Sequence, residues 1–367
     1  MTSSSPTFSG SGILNDADIT SLVEAGAIGS ERPLDEDQIQ PASLDLRLGS
    51  TAYRVRASFL PGPNRMVKER LDHLQLHQVD LTDGAVLETG CVYIVPLMET
   101  LELPDGIAAA ANPKSSTGRL DIFTRLITDR AQQFDKIPTG YNGPLYLEVS
   151  PRTFPILARA GSRLTQIRFR SGRVVLTDPE HLALHEAETL VASQAPFIAN
   201  GIAVSIDLAG EGVIGYRAKR HAAVIDVDKR DAHDLLDFWE PIDGRGRGEL
   251  VLDPDEFYIL VSNEAVHVPP LYAAEMVPFD PLVGEFRVHY AGFFDPGFGH
   301  SEAGGTGSRA VLEVRSHEVP FIVEHGQIIG RLAYERMRAQ PTHLYGSGIG
   351  SNYQAQGLKL SKHFKAV

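Results

Sequence analysis

The 367-residue chain has one cysteine, Cys91. An intrachain disulfide is therefore excluded, as is any centre needing two thiolates from one chain. A lone thiol suits a reducing compartment, and a cytoplasmic location is expected. Basic residues are also scarce: 34 Lys and Arg stand against 47 Asp and Glu, for a formal net charge of −13. Such a chain repels phosphodiester backbones and anionic lipid, so neither a nucleic acid nor a membrane is expected as a partner. A small anion would need a local basic pocket. No apolar run approaches the ~20 residues of a membrane-spanning helix. The opening MTSSSPTFSGSG lacks the basic and apolar segments of a secretory signal and reads as a disordered polar tail over residues 1–12.

What is present is 43% hydrophobic residues, enough for a packed core, together with 34 glycines and 23 prolines. That punctuation favours many turns and short strands over a helical bundle. The stretches YRVRASFL, VYIVPLM, PLYLEVS and RLTQIRF are β-branched or aromatic and roughly alternating. GRGRG at Gly244–Gly248 reads as a surface turn, and Gly299–Gly307 as a loop inserted in a hairpin.

A faint internal repeat organises the rest. Ile13–Ile28 and Val175–Val191 each place an N-cap candidate (Asn15, Thr177) and an aspartate before a short amphipathic helix. Ser43-Leu44-Asp45-Leu46 is matched by Ser205-Ile206-Asp207-Leu208, an offset of 162 (205 − 43). Tyr93 is matched by Tyr258, Leu147-Glu148-Val149 by Leu312-Glu313-Val314, and Gly161 by Gly326, all at 165 (258 − 93). This period is domain-sized rather than a solenoid repeat. The expectation is two tandem copies of one mainly β barrel or sandwich, each with a short N-terminal helix, over residues 13–173 and 174–367.

Chemistry-bearing residues are few. Lys114, Ser115, Ser116 and Arg119 place two cations and two hydroxyls within six positions, as a triphosphate requires. Taken alone, a basic surface turn is the simpler reading, and no P-loop is present. Glu148 and Glu313 each lie in an apolar Leu-Glu-Val strand. Such a carboxylate is either solvent-facing by alternation or partly buried with a raised pKa. His300-Ser301-Glu302 has the His-x-Glu string of zinc deaminases, but their paired cysteines are missing. His181 and His185 are four apart on a predicted helix, where two exposed histidines are the better reading than a metal pair.

Ile39–Gly49 (IQPASLDLRLG) resembles the N-terminal signature of the dCTP deaminases, members of the trimeric dUTPase-like fold. KSSTGRL at Lys114–Leu120 resembles the family's phosphate motif, with Lys114 in place of its arginine. Phe294–Phe298 (FDPGF) resembles its Ile-Asp-Pro-Gly hairpin, Val311–Val314 its catalytic-glutamate strand, and Gly326–Leu332 its Pro-Gly-x-x-Ile-Gly-x-Leu segment. Tyr345 and SNYQAQG at Ser351–Gly357 resemble the tail that closes over the nucleotide, with Asn352 where a lysine is usual.

The first copy keeps the phosphate motif but has Ile137-Pro138-Thr139-Gly140 at the hairpin. The second keeps the hairpin and tail but has Val277–Asp280 at the phosphate position. The resemblance therefore implies a site built between complementary copies. Glu313 would be the general base, with Glu148 the weaker candidate. The Ala291 carbonyl and Ser115 would orient the water, and Asp295 would hold the deoxyribose. Lys114, Ser116 and Arg119 would bind phosphates, with Tyr345 and Gln356 closing on the nucleotide.

The implied reaction is dCTP to dUTP and ammonia. Mg²⁺ would be carried by the triphosphate, with no zinc and no protein-held metal, in a homo-oligomer. A dUTP diphosphatase or bifunctional enzyme shares these motifs. A non-catalytic nucleotide-binding protein is the alternative if the copies do not complement each other.

Overall fold

The computed structural model describes residues 10–193, 196–278, 286–289, 292–300, 307–316, 318–346 and 357–365, with Pro278 and 286–289 as backbone only. Each copy places two antiparallel sheets around an apolar core, the dUTPase-like arrangement expected. In the first copy, Ile107–Pro113, Thr165–Ser171 and Ser43–Leu46 run side by side in one sheet. Ile122–Thr128, Asn142–Pro151, Val92–Glu102 and Thr51–Val55 form the other. In the second copy, Tyr272–Pro278 and Ile328–Arg336 belong to one sheet. The other is ordered Trp239–Asp243, Val213–Ala218, Phe257–Val266, Ser308–Ser316, Phe286–His289.

Both entry helices start where the sequence puts their caps. Asn15 accepts from the Asp18 amide at 2.9 Å, and Glu180 reaches back to the Thr177 amide at 2.6 Å. Strand pairing begins earlier than expected: Gly12, assigned to the polar tail, already pairs with Ser171.

The repeat is visible in hydrogen bonding, with one correction. Glu99 accepts from the Arg47 amide and Glu264 from the Ser205 amide, both at 2.8 Å, and 264 − 99 is 165. The Gly161 amide donates to Leu48 at 2.7 Å and the Gly326 amide to Ile206 at 2.9 Å. Leu48 is thus equivalent to Ile206, at 158 (206 − 48), and not to a position at 162. The Ser-x-Asp-Leu string misleads because alternating strands look alike after an even-numbered slip.

One core cluster spans both copies, beside a second that belongs to the second copy alone. Ile225–Asp226 pairs in parallel with Ile156–Ala158 of the first copy. Phe154 of the first copy meets Phe238 and Trp239 edge-on, at 5.6 and 5.5 Å between ring centroids. Leu360 and Phe364, near the end of the chain, are buried in the first copy's cluster beside Trp239, Phe257 and Ile259.

Candidate active site

Glu313 lies in the strand Ser308–Ser316, opposite Ile259 on one neighbour and His289 on the other. Ala310, Leu312 and Val314 face the second copy's own core. Glu313 therefore points to the other face, which would be wet if the sheet stood alone. It is not wet: Glu313 is only 6% exposed, because the first copy covers that face. Val311 on the same face packs against the first copy's core, and Arg315 pairs with Asp121 and reaches Thr153 Oγ1 at 3.0 Å. Burial pushes the Glu313 carboxyl up to about 8, opposed first by the nearby Arg119 guanidinium.

Arg119 comes from the first copy. The strand Ile107–Pro113 ends at a proline, and one helical turn, Ser115–Gly118, follows it. The Arg119 amide closes that turn on Ser115 O at 3.1 Å, and its Nη1 donates to Lys359 O at 2.8 Å. Ser361 Oγ donates to Ser116 O at 2.8 Å, so residues near 360 brace the motif from behind. Lys114 pairs with Asp45, and Arg163 lies 3.7 Å from the same carboxylate. Lys362 joins this group. Burial and then the charges of Lys114 and Arg230 hold its amine down at about 8.

Asp295 opens the second copy's hairpin turn. It is 9% exposed and bonds Arg168 of the first copy, whose Nη2 donates at 3.0 Å. Arg168 Nη1 donates to Glu335 at 3.0 Å, and the guanidinium lies 4.0 Å from the Phe293 ring centroid. Burial raises the Asp295 pKa, while Arg168 and, more weakly, Lys114 oppose the rise. Tyr345 sits on this turn. Its amide donates to Pro296 O at 2.8 Å, and its ring lies 5.8 Å from that of Phe298. Gly297 has φ +95°, and a Cβ there would lie 2.9 Å from Leu344 Cβ.

The two matched glutamates are in different states. Glu148, 1% exposed, takes two bonds on Oε1 from Arg125 of the next strand, at 3.0 and 2.6 Å. Arg125 in turn stacks on Phe134, 3.7 Å from its ring centroid. Glu148 is thus held in a local ion pair within the first copy. Glu313 instead faces a cation contributed by the other copy.

The structure therefore places Glu313 within electrostatic reach of Arg119, and Asp295 within that of Lys114, each pair joining residues of the two copies. Ala291 and Gln356, with most of SNYQAQG, lie outside the described residues. Arg168, Glu335 and Lys362 were not read from the sequence. Arg168 and Glu335 lie in apolar strands where a charge looks solvent-facing, and a lone lysine near a chain end carries no motif. His181, expected as an exposed helix histidine, is buried; its Nδ1 meets Thr177 O and its Nε2 accepts from the Tyr334 amide, both at 3.0 Å.

Comparison with known proteins identifies the family. The family model described as "2'-deoxycytidine 5'-triphosphate deaminase (DCD) N-terminal domain" matches residues 10–173, and the corresponding C-terminal domain matches 177–364. A protein of Coprothermobacter proteolyticus named "dCTP deaminase, dUMP-forming" is 32% identical over 158 residues, covering 43% of this chain and 81% of the relative. A "dCTP deaminase" of Natronomonas pharaonis is 31% identical over 164 residues, covering 43% and 79%. The crystal structure of 2'-deoxycytidine 5'-triphosphate deaminase from Agrobacterium tumefaciens is 70% identical, with a TM-score of 0.88 over 93% of this chain and 99% of that one. With both halves matched in order, and with its carboxylate and cations drawn from the two halves, the chain belongs to the 2'-deoxycytidine 5'-triphosphate deaminase family.

Proposed function

We propose that this chain converts dCTP and water to dUTP and ammonia at one site between its two copies, with Glu313 moving the protons. The observation that carries this reading is the buried Glu313 of the second copy beside Arg119 of the first. A carboxyl raised to about 8 near one guanidinium is poised between accepting and donating a proton near neutral pH.

In the proposed steps, Glu313 takes one proton from water as the oxygen bonds to C4 of cytosine, and passes it to N3. It then takes the proton of the new C4 hydroxyl and gives it to the amino group. The C4–N bond breaks, ammonia leaves, and the C4 carbonyl of uracil remains. Glu313 ends as it began, so protons and electrons balance without a redox partner. Ser115 and the Ala291 carbonyl would orient the water, and Arg119 would hold the Glu313 carboxylate in place.

Asp295, held rigid by Arg168, would bind the deoxyribose. Lys114, Ser116 and Lys362 would face the phosphates, with Tyr345 and Gln356 closing on the nucleotide. Lys114 and Lys362 are donors rather than metal ligands, which suits Mg²⁺ carried by the triphosphate. A homo-oligomer is proposed as well, as the resemblance to a trimeric fold implies.

The test is turnover of dCTP, dCMP and dUTP, measuring ammonia and pyrophosphate separately. Ammonia from dCTP without pyrophosphate is expected. Pyrophosphate as well would place the chain with its dUMP-forming relatives, and binding without either product would overturn catalysis.

A further inference from the structure

Away from Glu313, three segments of the second copy bring Glu188, His267 and His300 together, with ligand atoms all within 4.8 Å of one another. Glu188 ends the helix Asp178–Glu188, His267 follows the strand Phe257–Val266, and His300 ends the turn that begins at Asp295. We propose that these residues form a structural site for a divalent transition metal of the zinc class, tying that helix to the Asp295 turn.

The backbone fixes the arrangement in advance. The His267 amide donates to Leu190 O at 3.0 Å, just beyond the helix. Val268 N donates to Phe298 O at 2.8 Å, and Gly297 N returns a bond to Val268 O at 2.9 Å. Gly299 makes the close approach possible: a Cβ there would lie 2.3 Å from Val266 O. His267 and His300 consequently meet edge to face, with centroids 5.3 Å apart, and His300 Nε2 lies 3.7 Å from Glu188 Oε2.

His267 is set up as a ligand. The Glu188 carbonyl accepts from its ring, and its Nε2 is buried with no hydrogen-bond partner. With two ring nitrogens, that leaves the bonded one protonated and Nε2 carrying the lone pair, the tautomer a metal requires. His185 stands three residues before Glu188 on the same helix face, with Nδ1 likewise buried and unpartnered.

Two imidazoles and one carboxylate favour zinc, cobalt or nickel over magnesium or calcium, which prefer all-oxygen sites. Ligand atoms bound at roughly 2.0–2.2 Å from a metal lie some 3.5 Å apart, so closure needs only a small contraction.

The experiment uses the full-length protein, stripped with a chelator and dialysed. Co²⁺ is titrated while its visible absorption is followed, and Zn²⁺ uptake is counted by mass spectrometry. One equivalent per chain is expected, with a rise in melting temperature. His267→Asn and His300→Asn, tested separately, should each weaken uptake at least tenfold, whereas His343→Asn, an exposed histidine elsewhere, should leave it unchanged. Glu188→Gln, at an exposed position, keeps the test intact if a histidine variant fails to fold. Absence of a stoichiometric equivalent, or equal uptake by wild type and the His300 and Glu188 variants, overturns the proposal.

Discussion

At the residue scale, the proposed deamination depends on one carboxyl in two protonation states. The Glu313 pKa is raised to about 8, above the ordinary glutamate value, so the group is largely protonated at neutral pH and ionises as pH rises through that value. If its carboxylate is the base, kcat/KM for dCTP should climb about tenfold per pH unit below that point and level off above it. Arg119 is the main charge opposing the rise, so Arg119→Ala should shift the limb to higher pH and lower kcat/KM. Each lost charge-assisted contact costs on the order of 1.5–3 kcal/mol. A wild-type pH profile that is flat from about 6 to about 9, a window that spans the Glu313 value, would contradict the assignment. The same shift carries a stability consequence. A carboxyl with a raised folded-state pKa stabilises the fold below its unfolded value and loses that contribution as pH rises towards about 8. Glu313→Gln should therefore melt higher than wild type at alkaline pH, with the difference shrinking in acid.

At the scale of elements, the two Leu-Glu-Val strands show how much a sequence can disclose. That both glutamates sit in strands was legible from alternation, and the matched spacing showed the strands to be equivalent. Their difference was not legible, because it depends on what covers each outer face. Arg125 on the adjoining strand pairs with Glu148 through Oε1, whereas the first copy closes over Glu313. The Asp295 turn was recognisable from its Asp-Pro-Gly string, but its anchor, Arg168, comes from a strand more than a hundred residues earlier. Gly297 holds φ +95° against Leu344 and Tyr345, so Gly297→Ala combines backbone strain with a steric clash. A loss of about 1–3 kcal/mol in thermal or denaturant unfolding is expected, together with a raised KM for dCTP. Unchanged stability and KM would remove this turn from the site.

At the scale of the whole molecule, the duplication was readable from the sequence, but its register near Ser205 was not. Nor was the shared core built from Phe154, Phe238, Trp239 and Phe364. The copies are further joined by Arg168, buried between Asp295 and Glu335. Removing one partner of such a network leaves buried charge unpaired, at a cost of about 3–5 kcal/mol. Arg168→Met should thus lower stability by that order and weaken dCTP binding, and adding Asp295→Asn and Glu335→Gln should recover part of the stability. A single variant as stable as wild type would show that the network does not hold the copies together.

The central claim is that the deaminating carboxylate belongs to the second copy and works because the first copy covers it. The most direct measurement is ammonia release, beside dCTP binding, for purified Glu313→Gln and Glu148→Gln. The amide keeps the shape of the side chain but cannot shuttle a proton. Glu313→Gln should bind dCTP and release essentially no ammonia. Glu148→Gln should keep substantial turnover, with any loss arising from the broken Arg125 pair. An inactive Glu148→Gln beside an active Glu313→Gln would place the working site in the other copy, and two active variants would contradict the glutamate mechanism itself.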